Sequence, residues 1–531
     1  MDQRSATLAW TNATNAVSPA QLDALSERVA TAGTETIDVS APAMDEPLGS
    51  IPACSEADVE GAVRRARQAR SAWTTRSVAD RAAVIDRFAD LVLERRTMLL
   101  DLLQLETGKA RRTAAEELLD VPLNCSYYRS IGPEAVASEK RRGALPGATS
   151  ARVSYDPVGV VGLISPWNYP LALAVADAIP ALIAGNAVVL KPDEKTPFVA
   201  LALATLFAEA GGPKGVFEVV TGEGDVVGPA LIDHIDHIAF TGSTETGRAV
   251  AERAGHNLID CSLELGGNNP LVVLDDADVE TAARGALQAC FSNAGQLCLA
   301  AERIYVDESL YEPFRDAFVD ATRGLTVGTD LDYESDVGSL IDGAQLNRVE
   351  DHVAEAIETG ATVLAGGQRR PDVGPFCYEP TVLADVDPDA TVACEETFGP
   401  VVSLTPVPDE AAAIEAANDS PYGLNASVWT GSRDRGRRVA DRIESGTVCV
   451  NDGYIAGWAA VDGPMGGVGD SGLGRRHGPE GIARYLEPRL IGTSRVGPLG
   501  VPSGAGSASK WLFEGMFRAL GAGRRLRQWV R

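Results

Sequence analysis

One cysteine and one glutamate stand where their side chains could carry out covalent chemistry on a carbonyl group. Cys298 ends the stretch Phe291-Ser-Asn-Ala-Gly-Gln-Leu-Cys298, and Glu264 precedes two glycines in Leu263-Glu-Leu-Gly-Gly-Asn-Asn269. A thiol can add to a carbonyl carbon, and a carboxylate can activate the water that releases the product. Taken alone, each residue is more typical of a structural role, because cysteines are often buried hydrophobes and glutamates mostly face solvent. The rest of the sequence must therefore indicate whether these two residues have a catalytic or a structural role.

Length and charge exclude some classes of protein. A chain of 531 residues exceeds the size at which one core keeps growing, so two or more domains are expected. The net charge of −27 argues against nucleic acid as a partner, because a polyanion would be repelled. Lysines make up only six of the 47 basic residues. An acidic, lysine-poor surface suits a cytoplasm of high ionic strength, as in a halophile.

The cysteines and histidines indicate neither a disulfide framework nor a metal site. Eight cysteines are spread along the chain without C-x-x-C spacing. His234 and His237 flank a predicted buried strand, which favours a structural role. The N-terminus lacks an apolar segment behind a basic start, and no run of 18 apolar residues occurs. We therefore expect a cytoplasmic protein without a bound metal.

Apolar strands alternate with helical segments through the middle of the chain, which predicts parallel βαβ units with ligand loops at the carboxyl ends of the strands. The first 40 residues show weak periodicity and are expected to be a loosely ordered lead-in. Helices are predicted at 80–105 and 114–128, and a further helix up to Ala184. The predicted strands include residues 158–164, 187–190, 216–220, 237–240, 271–274, 303–306, 400–407 and 426–430.

Two loops at the ends of predicted strands could bind a phosphorylated ligand. Phe240-Thr-Gly-Ser-Thr-Glu-Thr-Gly247 lies between a strand and a helix, which suits a pyrophosphate at the helix N-terminus. A plain helix cap is an equally good interpretation. Lys191 and Glu194 follow a neighbouring strand, where Glu194 could accept hydrogen bonds from ribose hydroxyls. A surface ion pair between them is the alternative.

Seven short motifs occur in one order along the chain. They are Pro166-Trp-Asn168, Lys191-x-x-Glu194, Gly242-Ser-Thr-x-x-Gly247, Glu264-Leu-Gly-Gly267, Gly295-Gln-x-Cys298, Glu396-x-Phe-Gly-Pro400 and Gly466-Gly-x-x-x-Ser-Gly472. Their succession resembles the aldehyde dehydrogenase superfamily over residues 45–490 and is most similar to its succinate-semialdehyde dehydrogenase branch.

The resemblance implies an α/β fold with three parts. A Rossmann-like coenzyme domain with a parallel sheet would comprise residues 41–137 and 158–263, and a second α/β catalytic domain residues 264–482. A small β ribbon from residues 138–157 and 483–500 would join subunits into a homodimer or homotetramer. Residues 501–531 lie beyond the resemblance.

The resemblance also implies roles for the catalytic residues. Cys298 would attack the aldehyde carbon to give a thiohemiacetal, and Asn168 with the Cys298 backbone N–H would stabilise the oxyanion. Hydride transfer would leave a thioester, which Glu264 would help water to hydrolyse. Because coenzyme A-acylating relatives generally lack a glutamate at this position, hydrolysis to the free acid is favoured.

A dinucleotide is the cofactor that the resemblance implies. Ser243 and Thr244 would lie by the pyrophosphate, Lys191 and Glu194 by the adenosine ribose. Since Glu194 would repel a 2′-phosphate, the sequence predicts NAD rather than NADP. The full set of predicted contacts is Trp167, Lys191, Glu194, Gly242, Ser243, Thr244, Gly247, Leu265, Glu396 and Phe398.

Three residues depart from the family pattern. Asp177 stands where many members carry Lys, Gly469 replaces a common Lys, and Arg476 stands where Glu is frequent. They leave proton transfer and the electrostatics of the substrate pocket open. The predicted function is NAD-dependent oxidation of an aldehyde, with succinate semialdehyde as a candidate. The alternatives are a broad-specificity aliphatic or aromatic aldehyde dehydrogenase, a thiol esterase-like hydrolase, or a catalytically silent scaffold.

The last segment, 501–531, is basic and could form an amphipathic helix. Its apolar face could contact a membrane surface, or it could dock onto the protein's own acidic surface or a sister subunit. Gly515, Gly521 and Gly523 argue against a continuous helix.

Overall fold

The computed structural model describes residues 17–143, 147–497, 499, 504 and 506–529. The expected lead-in is therefore described only from residue 17 onward. The chain divides into two compact units. One comprises Met1–Val136 and Asp156–Glu487, and the other Ala137–Tyr155 and Pro488–Arg531.

The strands of the described residues form four sheets. In chain order they are β1 (Thr36–Ala41), β2 (Glu46–Pro52), β3 (Glu139–Arg141), β4 (Thr149–Pro157), β5 (Val160–Ser165), β6 (Ala187–Pro192), β7 (Phe217–Val219), β8 (His237–Thr241), β9 (Asp260–Glu264), β10 (Asn269–Val273), β11 (Ala301–Asp307), β12 (Thr362–Ala365), β13 (Thr381–Ala384), β14 (Val401–Val407), β15 (Asn425–Trp429), β16 (Thr447–Val450), β17 (Gly472–Leu473) and β18 (Leu486–Ser494).

The α-helices of the described residues connect and cover these strands. They are α1 (Pro19–Ser26), α2 (Glu56–Thr75), α3 (Val78–Glu94), α4 (Arg96–Thr107), α5 (Arg111–Ala135), α6 (Pro170–Ala176), α7 (Ala178–Ala184), α8 (Pro197–Glu209), α9 (Gly224–Ile232), α10 (Thr244–Asn257), α11 (Val279–Phe291), α12 (Glu308–Arg323), α13 (Gly343–Glu358), α14 (Thr391–Cys394), α15 (Glu410–Asn418), α16 (Arg433–Ala440), α17 (Ile455–Trp458), α18 (Gly478–Ala483) and α19 (Gly506–Trp529). Short 3₁₀ turns occur at Ser292–Gly295 and Gly469–Ser471.

A six-stranded sheet of the first unit has the order β17-β9-β8-β5-β6-β7 and is parallel except for β17. Helices α2 and α9 pack against it, as do α6 and α7. Strands covered in this way are buried on both faces, which explains their continuous apolar sequences. The carboxyl ends of β5, β6, β8 and β9 meet at one edge, as the predicted ligand loops require.

A seven-stranded sheet has the order β12-β13-β14-β11-β10-β15-β16, with β12 antiparallel to the rest. Successive residues of its central strand β10 enter two different buried clusters. Leu271 and Val273 pack in one, and Val272 in the other. A second sheet with helices on its faces is therefore present, as the predicted α/β fold implies.

Some element boundaries differ from the predictions. The helix predicted at 80–105 is two helices, α3 and α4, and the one predicted up to Ala184 divides into α6 and α7 at Asp177. The segment expected to be a lead-in contains α1 and most of β1. A capping box at Ser18 orders α1, and antiparallel pairing with β2 orders β1. Neither interaction is accompanied by a long periodic pattern of apolar residues from which the element could be predicted.

The second unit carries most of the three-stranded sheet β18-β4-β3, where the sequence predicts the oligomerisation ribbon. The assembly itself stays a prediction. Helix α19 runs without a break through Gly515 and Gly521, and its Trp511 and Phe517 are exposed. In the described part of the chain, no helix is both long and apolar enough to cross a bilayer.

Candidate active site

Cys298 follows a tight loop between α11 and β11. Asn293 and Ala294 adopt positive φ angles of 54° and 55°, and Gly295 has a φ of 72°. A Cβ atom at Gly295 would lie 1.9 Å from the carbonyl oxygen of Gly399, so a larger residue would not fit without displacing the backbone. The glycine in Gly295-Gln-x-Cys298 thus lets the cysteine loop approach the loop that carries Glu396.

Cys298 is half-buried, and a side-chain hydrogen bond holds its backbone carbonyl group. Asn269 donates its side-chain N–H to the Cys298 carbonyl oxygen at 2.7 Å. Burial, followed by the carboxylates of Glu396 and Glu264, raises the pKa of the thiol to about 12. The thiol is therefore protonated at neutral pH, and attack by sulfur requires a base.

Glu264 is the last residue of β9 and is buried. Its Oε1 atom has no hydrogen-bond partner among the described residues. Burial raises the pKa of Glu264 to about 7, although Arg476 opposes this shift. A buried carboxylate that titrates near neutral pH and has an unpaired oxygen can act as a general base.

Asn168 is buried in the loop between β5 and α6 and is held by several hydrogen bonds. Its Nδ2 donates to the Gln296 carbonyl oxygen at 3.0 Å. The backbone carbonyl oxygen of Asn168 accepts hydrogen bonds from Lys109 Nζ at 2.7 Å and from Asn293 Nδ2 at 3.1 Å. Lys109 is in turn paired with Glu117, and both side chains are fully buried. This network fixes Asn168 close to the loop that ends in Cys298.

One cavity is lined by all three predicted catalytic residues, Cys298, Glu264 and Asn168. Much of its wall is apolar or aromatic and includes Tyr169, Leu173, Tyr454, Ile455, Trp458 and Met465. Its charged lining includes Glu116, Asp120 and Arg476. In the described part of the chain, no group of His, Cys, Asp and Glu side chains is arranged to hold a metal ion.

The predicted pyrophosphate turn begins α10. A Cβ atom at Gly242 would lie 2.5 Å from the ring of Phe240. Ser243 caps the helix, because its side chain accepts a hydrogen bond from the Thr246 backbone N–H. Thr244 donates its hydroxyl to the Asp470 carbonyl oxygen at 2.9 Å. The helix-cap interpretation is therefore correct, and it leaves the positive end of the helix dipole at this position.

Gly247 and Leu265 are brought together by packing. A Cβ atom at Gly247 would lie 2.4 Å from a methyl carbon of Leu265. A second cavity, lined in part by Lys191, Phe240 and Thr246, lies along the same helix. Of the predicted cofactor contacts, Lys191 is among the residues that line this cavity.

Glu396 and Phe398 lie beside the catalytic residues. The Gly267 backbone N–H donates to Glu396 Oε1 at 2.8 Å, and a Cβ atom at Gly266 would lie 2.4 Å from Glu396 Oε2. Burial raises the pKa of Glu396 to about 7. The Phe398 ring meets Trp167 edge-on, with ring centroids 5.5 Å apart. The two glycines after Glu264 therefore bring Glu396 close to the Glu264 loop.

Lys191 and Glu194 form an ion pair of 2.8 Å at the end of β6. Lys191 is buried, and the Glu194 side chain is about one-third exposed. Lys195 lies nearby, 5.9 Å from the centroid of the Trp167 ring. The pairing that the sequence offered as an alternative is thus present, and the Glu194 carboxylate is not an isolated charge.

Two of the three departures from the family pattern contact each other. Arg476 Nη2 lies 2.7 Å from Asp177 Oδ2, and it donates to Thr241 Oγ1 at 2.8 Å. Asp177 also pairs with Arg484 and accepts a hydrogen bond from the Tyr485 hydroxyl at 3.0 Å. Asp177 and Arg476 thus exchange the charges that are common in the family.

This pairing and the Lys109–Glu117 pair were not predicted from the sequence. The Asp177–Arg476 pair could have been predicted from the opposite charges of these two departures from the family pattern. For the second, the scarcity of lysines could have drawn attention to Lys109. Gly469 has a φ of 59°, and a Cβ atom there would lie 2.5 Å from the Pro421 carbonyl oxygen, which explains why glycine replaces lysine.

Comparison with known proteins identifies the same family as the sequence motifs do. The profile of the aldehyde dehydrogenase family matches residues 29–491. A Mycobacterium tuberculosis protein named a putative succinate-semialdehyde dehydrogenase, with NADP(+) in its name, is 51% identical over 462 residues, which cover 86% of this chain and 89% of the relative. The succinate-semialdehyde dehydrogenase (NADP(+)) GabD of Escherichia coli is 40% identical over 465 residues, 86% of this chain and 94% of the relative.

Solved structures of the same family superimpose well. An NADP-dependent enzyme of E. coli has a TM-score of 0.83 at 38% identity, covering 87% of this chain and 95% of its own. Betaine aldehyde dehydrogenase of Staphylococcus aureus in complex with NAD+ has a TM-score of 0.87 at 33% identity, with coverage of 92% and 99%.

The prediction of NAD over NADP is wrong, because the M. tuberculosis and E. coli relatives are both named for NADP(+). As an unpaired anion, Glu194 would repel a 2′-phosphate. Its carboxylate instead lies 2.8 Å from Lys191 Nζ, which offsets the charge. The predictions of fold and family are confirmed: the chain belongs to the aldehyde dehydrogenase family and oxidises an aldehyde.

Proposed function

We propose that this chain converts an aldehyde to the free carboxylic acid with NADP(+), using Cys298 as nucleophile, Glu264 as base and Asn168 as oxyanion donor. The observation that carries the proposal is the single cavity lined by these three side chains. A nucleophile, a base and a hydrogen-bond donor facing one space are the parts that covalent aldehyde oxidation requires.

In the first half-reaction the Cys298 sulfur attacks the aldehyde carbon. The thiol is protonated at neutral pH, so its proton passes to the Glu264 carboxylate, directly or through water. The aldehyde oxygen gains negative charge and accepts hydrogen bonds from Asn168 Nδ2 and the Cys298 backbone N–H. Loss of one such donor typically costs about 10²–10³ in rate.

In the second half-reaction Glu264, having lost its proton to solvent, removes a proton from water. The water oxygen attacks the thioester carbon, the carbon–sulfur bond breaks, and the sulfur recovers a proton from Glu264. The product leaves as the free acid. Because this step needs the carboxylate form of Glu264, turnover should rise with pH through about 7.

NADP(+), when bound, supplies the hydride acceptor. The residues around the two cavities fit a dinucleotide: Gly242 and the capped start of α10 suit a pyrophosphate, and Glu396 suits a ribose hydroxyl. Lys191 and Glu194 would hold the adenosine ribose, and their ion pair offsets the carboxylate charge that would otherwise repel a 2′-phosphate. Trp167 and Phe398 would lie against the nicotinamide side.

Two substrate classes are supported by different observations. The relatives' names support succinate semialdehyde. The largely apolar cavity wall supports an uncharged aliphatic or aromatic aldehyde, because the arginine in that wall, Arg476, is already paired with Asp177.

The test is NADPH formation from succinate semialdehyde, butanal and benzaldehyde, each with NADP(+) and with NAD(+). We expect a higher kcat/KM with NADP(+). Cys298→Ala should abolish NADPH formation, and Glu264→Gln should lose both the NADPH burst and steady-state turnover, because Glu264 accepts a proton in both half-reactions. Ester cleavage without NADPH from any aldehyde would instead indicate a thiol hydrolase, and undiminished turnover by Cys298→Ala would refute the mechanism.

A further inference from the structure

The ion pair of Asp177 and Arg476 lies next to the strand end that carries Glu264. Arg476 Nη2 donates to Thr241 Oγ1 at 2.8 Å. Thr241 ends β8 and is the parallel register partner of Glu264 in β9. Arg476 and Glu264 also line the same cavity. The guanidinium is therefore anchored at the strand position adjacent to the proposed base.

Neither member of this pair can exchange a proton near neutral pH. Burial opposes ionisation of Asp177, but Arg476 and Arg484 outweigh it and hold the pKa of Asp177 far below its ordinary range. A guanidinium does not deprotonate in proteins. The pair is thus a fixed arrangement of charges and not a route for protons.

Arg476 also has a buried donor that its ion pair does not use. Its side chain is about 5% exposed, and its Nε is buried without a hydrogen-bond partner among the described residues. Glu264 Oε1 is likewise buried without a partner there. An unpaired buried donor and an unpaired buried acceptor, each costly to leave unsatisfied, thus belong to two residues that line the same cavity.

We propose that Arg476 is a positioning residue for hydrolysis: anchored by Asp177, it holds a permanent positive charge beside Glu264 and favours the carboxylate form that takes a proton from water. This inference rests on the proposed function, because it requires Glu264 to be the base. It deepens that function by assigning a role to a residue outside the nucleophile, base and oxyanion donor.

Other groups near Glu264 must be separated from Arg476. The charged or titratable side chains that act on Glu264 or line its cavity are Asp177, Arg475, Arg476, Arg484, Cys298, Glu116, Glu117, Asp120, His477, Tyr169 and Tyr454. Burial lowers the pKa of His477 to about 4, so this residue is neutral at pH 7. Burial raises the pKa of Asp120 to about 7, so Asp120 titrates in the same range as Glu264.

The test compares the pH dependence of kcat in the wild type, Arg476→Gln and Asp177→Asn. Removing the cation should move the acid limb to higher pH by about one unit, which means about a tenfold lower kcat below the limb. Removing the anion should move the limb to lower pH, because Asp177 opposes the effect of Arg476 on Glu264. A purely structural ion pair would give losses of the same kind in both variants, without opposite shifts.

Three controls complete the experiment. Arg476→Lys keeps the charge and should keep the limb near its wild-type position even if folding is weakened, as judged by the melting temperature. Asp120→Asn should leave the limb in place, and its disappearance would assign the limb to Asp120 and overturn the inference. An unmoved limb in Arg476→Gln, with Glu264→Gln inactive in turnover as expected, would overturn the inference alone. Full turnover by Glu264→Gln would overturn the proposed function as well.

Discussion

Burial gives the ionisable side chains at the site their chemical character. The pKa values of Glu264, Glu396 and Asp120 are each raised to about 7, and that of Cys298 to about 12, chiefly because burial disfavours the charged form. Carboxylates that titrate near neutral pH can both accept and release protons during turnover. Because three of them titrate together, a pH profile is assigned by substitution and not by position alone.

Lys109 tests how far the oxyanion donor depends on buried charge. Its Nζ contacts the Asn168 carbonyl oxygen and Glu117, and Glu117 also accepts from the backbone N–H groups of Leu171 and Ala172. Lys109→Met would leave Glu117 buried without its cation. We expect a loss of about 3–5 kcal/mol in the free energy of unfolding, measured by chemical denaturation, and a lower kcat.

The matched control is the exposed Lys214, whose replacement by Met should change stability by less than about 0.5 kcal/mol. Equal effects of the two substitutions would contradict the proposed support of Asn168. The double variant Lys109→Met/Glu117→Gln should recover part of the lost stability, because it removes the uncompensated charge.

At the scale of elements, the site is built from segments at the ends of strands and helices. Asn168 follows β5, Lys191 belongs to β6, Gly242 follows β8 and Glu264 ends β9. Parallel strands bring their carboxyl ends to one edge, so residues distant in sequence meet there. Cys298 instead lies in the loop that precedes β11, a strand of the seven-stranded sheet.

Gly295→Ala tests the placement of the cysteine loop. The substitution combines a φ of 72° with a Cβ atom 1.9 Å from the Gly399 carbonyl oxygen, so the loop must shift. We expect kcat/KM for the aldehyde to fall more than about tenfold, since small displacements of a reacting group have large effects. Gly211→Ala is the control, because Gly211 has a φ of 96° and no atom within 4 Å of an added Cβ. Similar losses of activity in both variants would contradict the role given to the close approach.

At the scale of the whole molecule, the net charge of −27 opposes compact folding through self-repulsion. Salt screens exposed charges that lie farther apart than about 8 Å at physiological ionic strength. This screening distance becomes shorter as the salt concentration rises. We therefore expect the melting temperature to rise from low salt to molar KCl. A melting temperature that stays constant or falls would refute the prediction of a high-salt environment. A neutral osmolyte at the same osmolality separates screening from exclusion effects.

The sequence by itself determined the α/β class, the family and the positions of the candidate catalytic residues. It could do so because each depends on a local requirement: continuous apolar strands, glycines where a Cβ atom would collide, and a thiol and carboxylate in fixed motifs. Helix limits were less predictable, as the division at Asp177 shows, because that residue is placed by distant partners.

Only the tertiary structure decided which charges meet. Asp177 and Arg476 are 299 residues apart in sequence, and neither motif spacing nor periodicity indicates that they pair. The same holds for Lys109 with Asn168, and for Glu194, whose predicted repulsion of a phosphate ignored its partner Lys191. Electrostatic interactions depend on distance and burial, which the folded chain fixes and the linear order of residues does not.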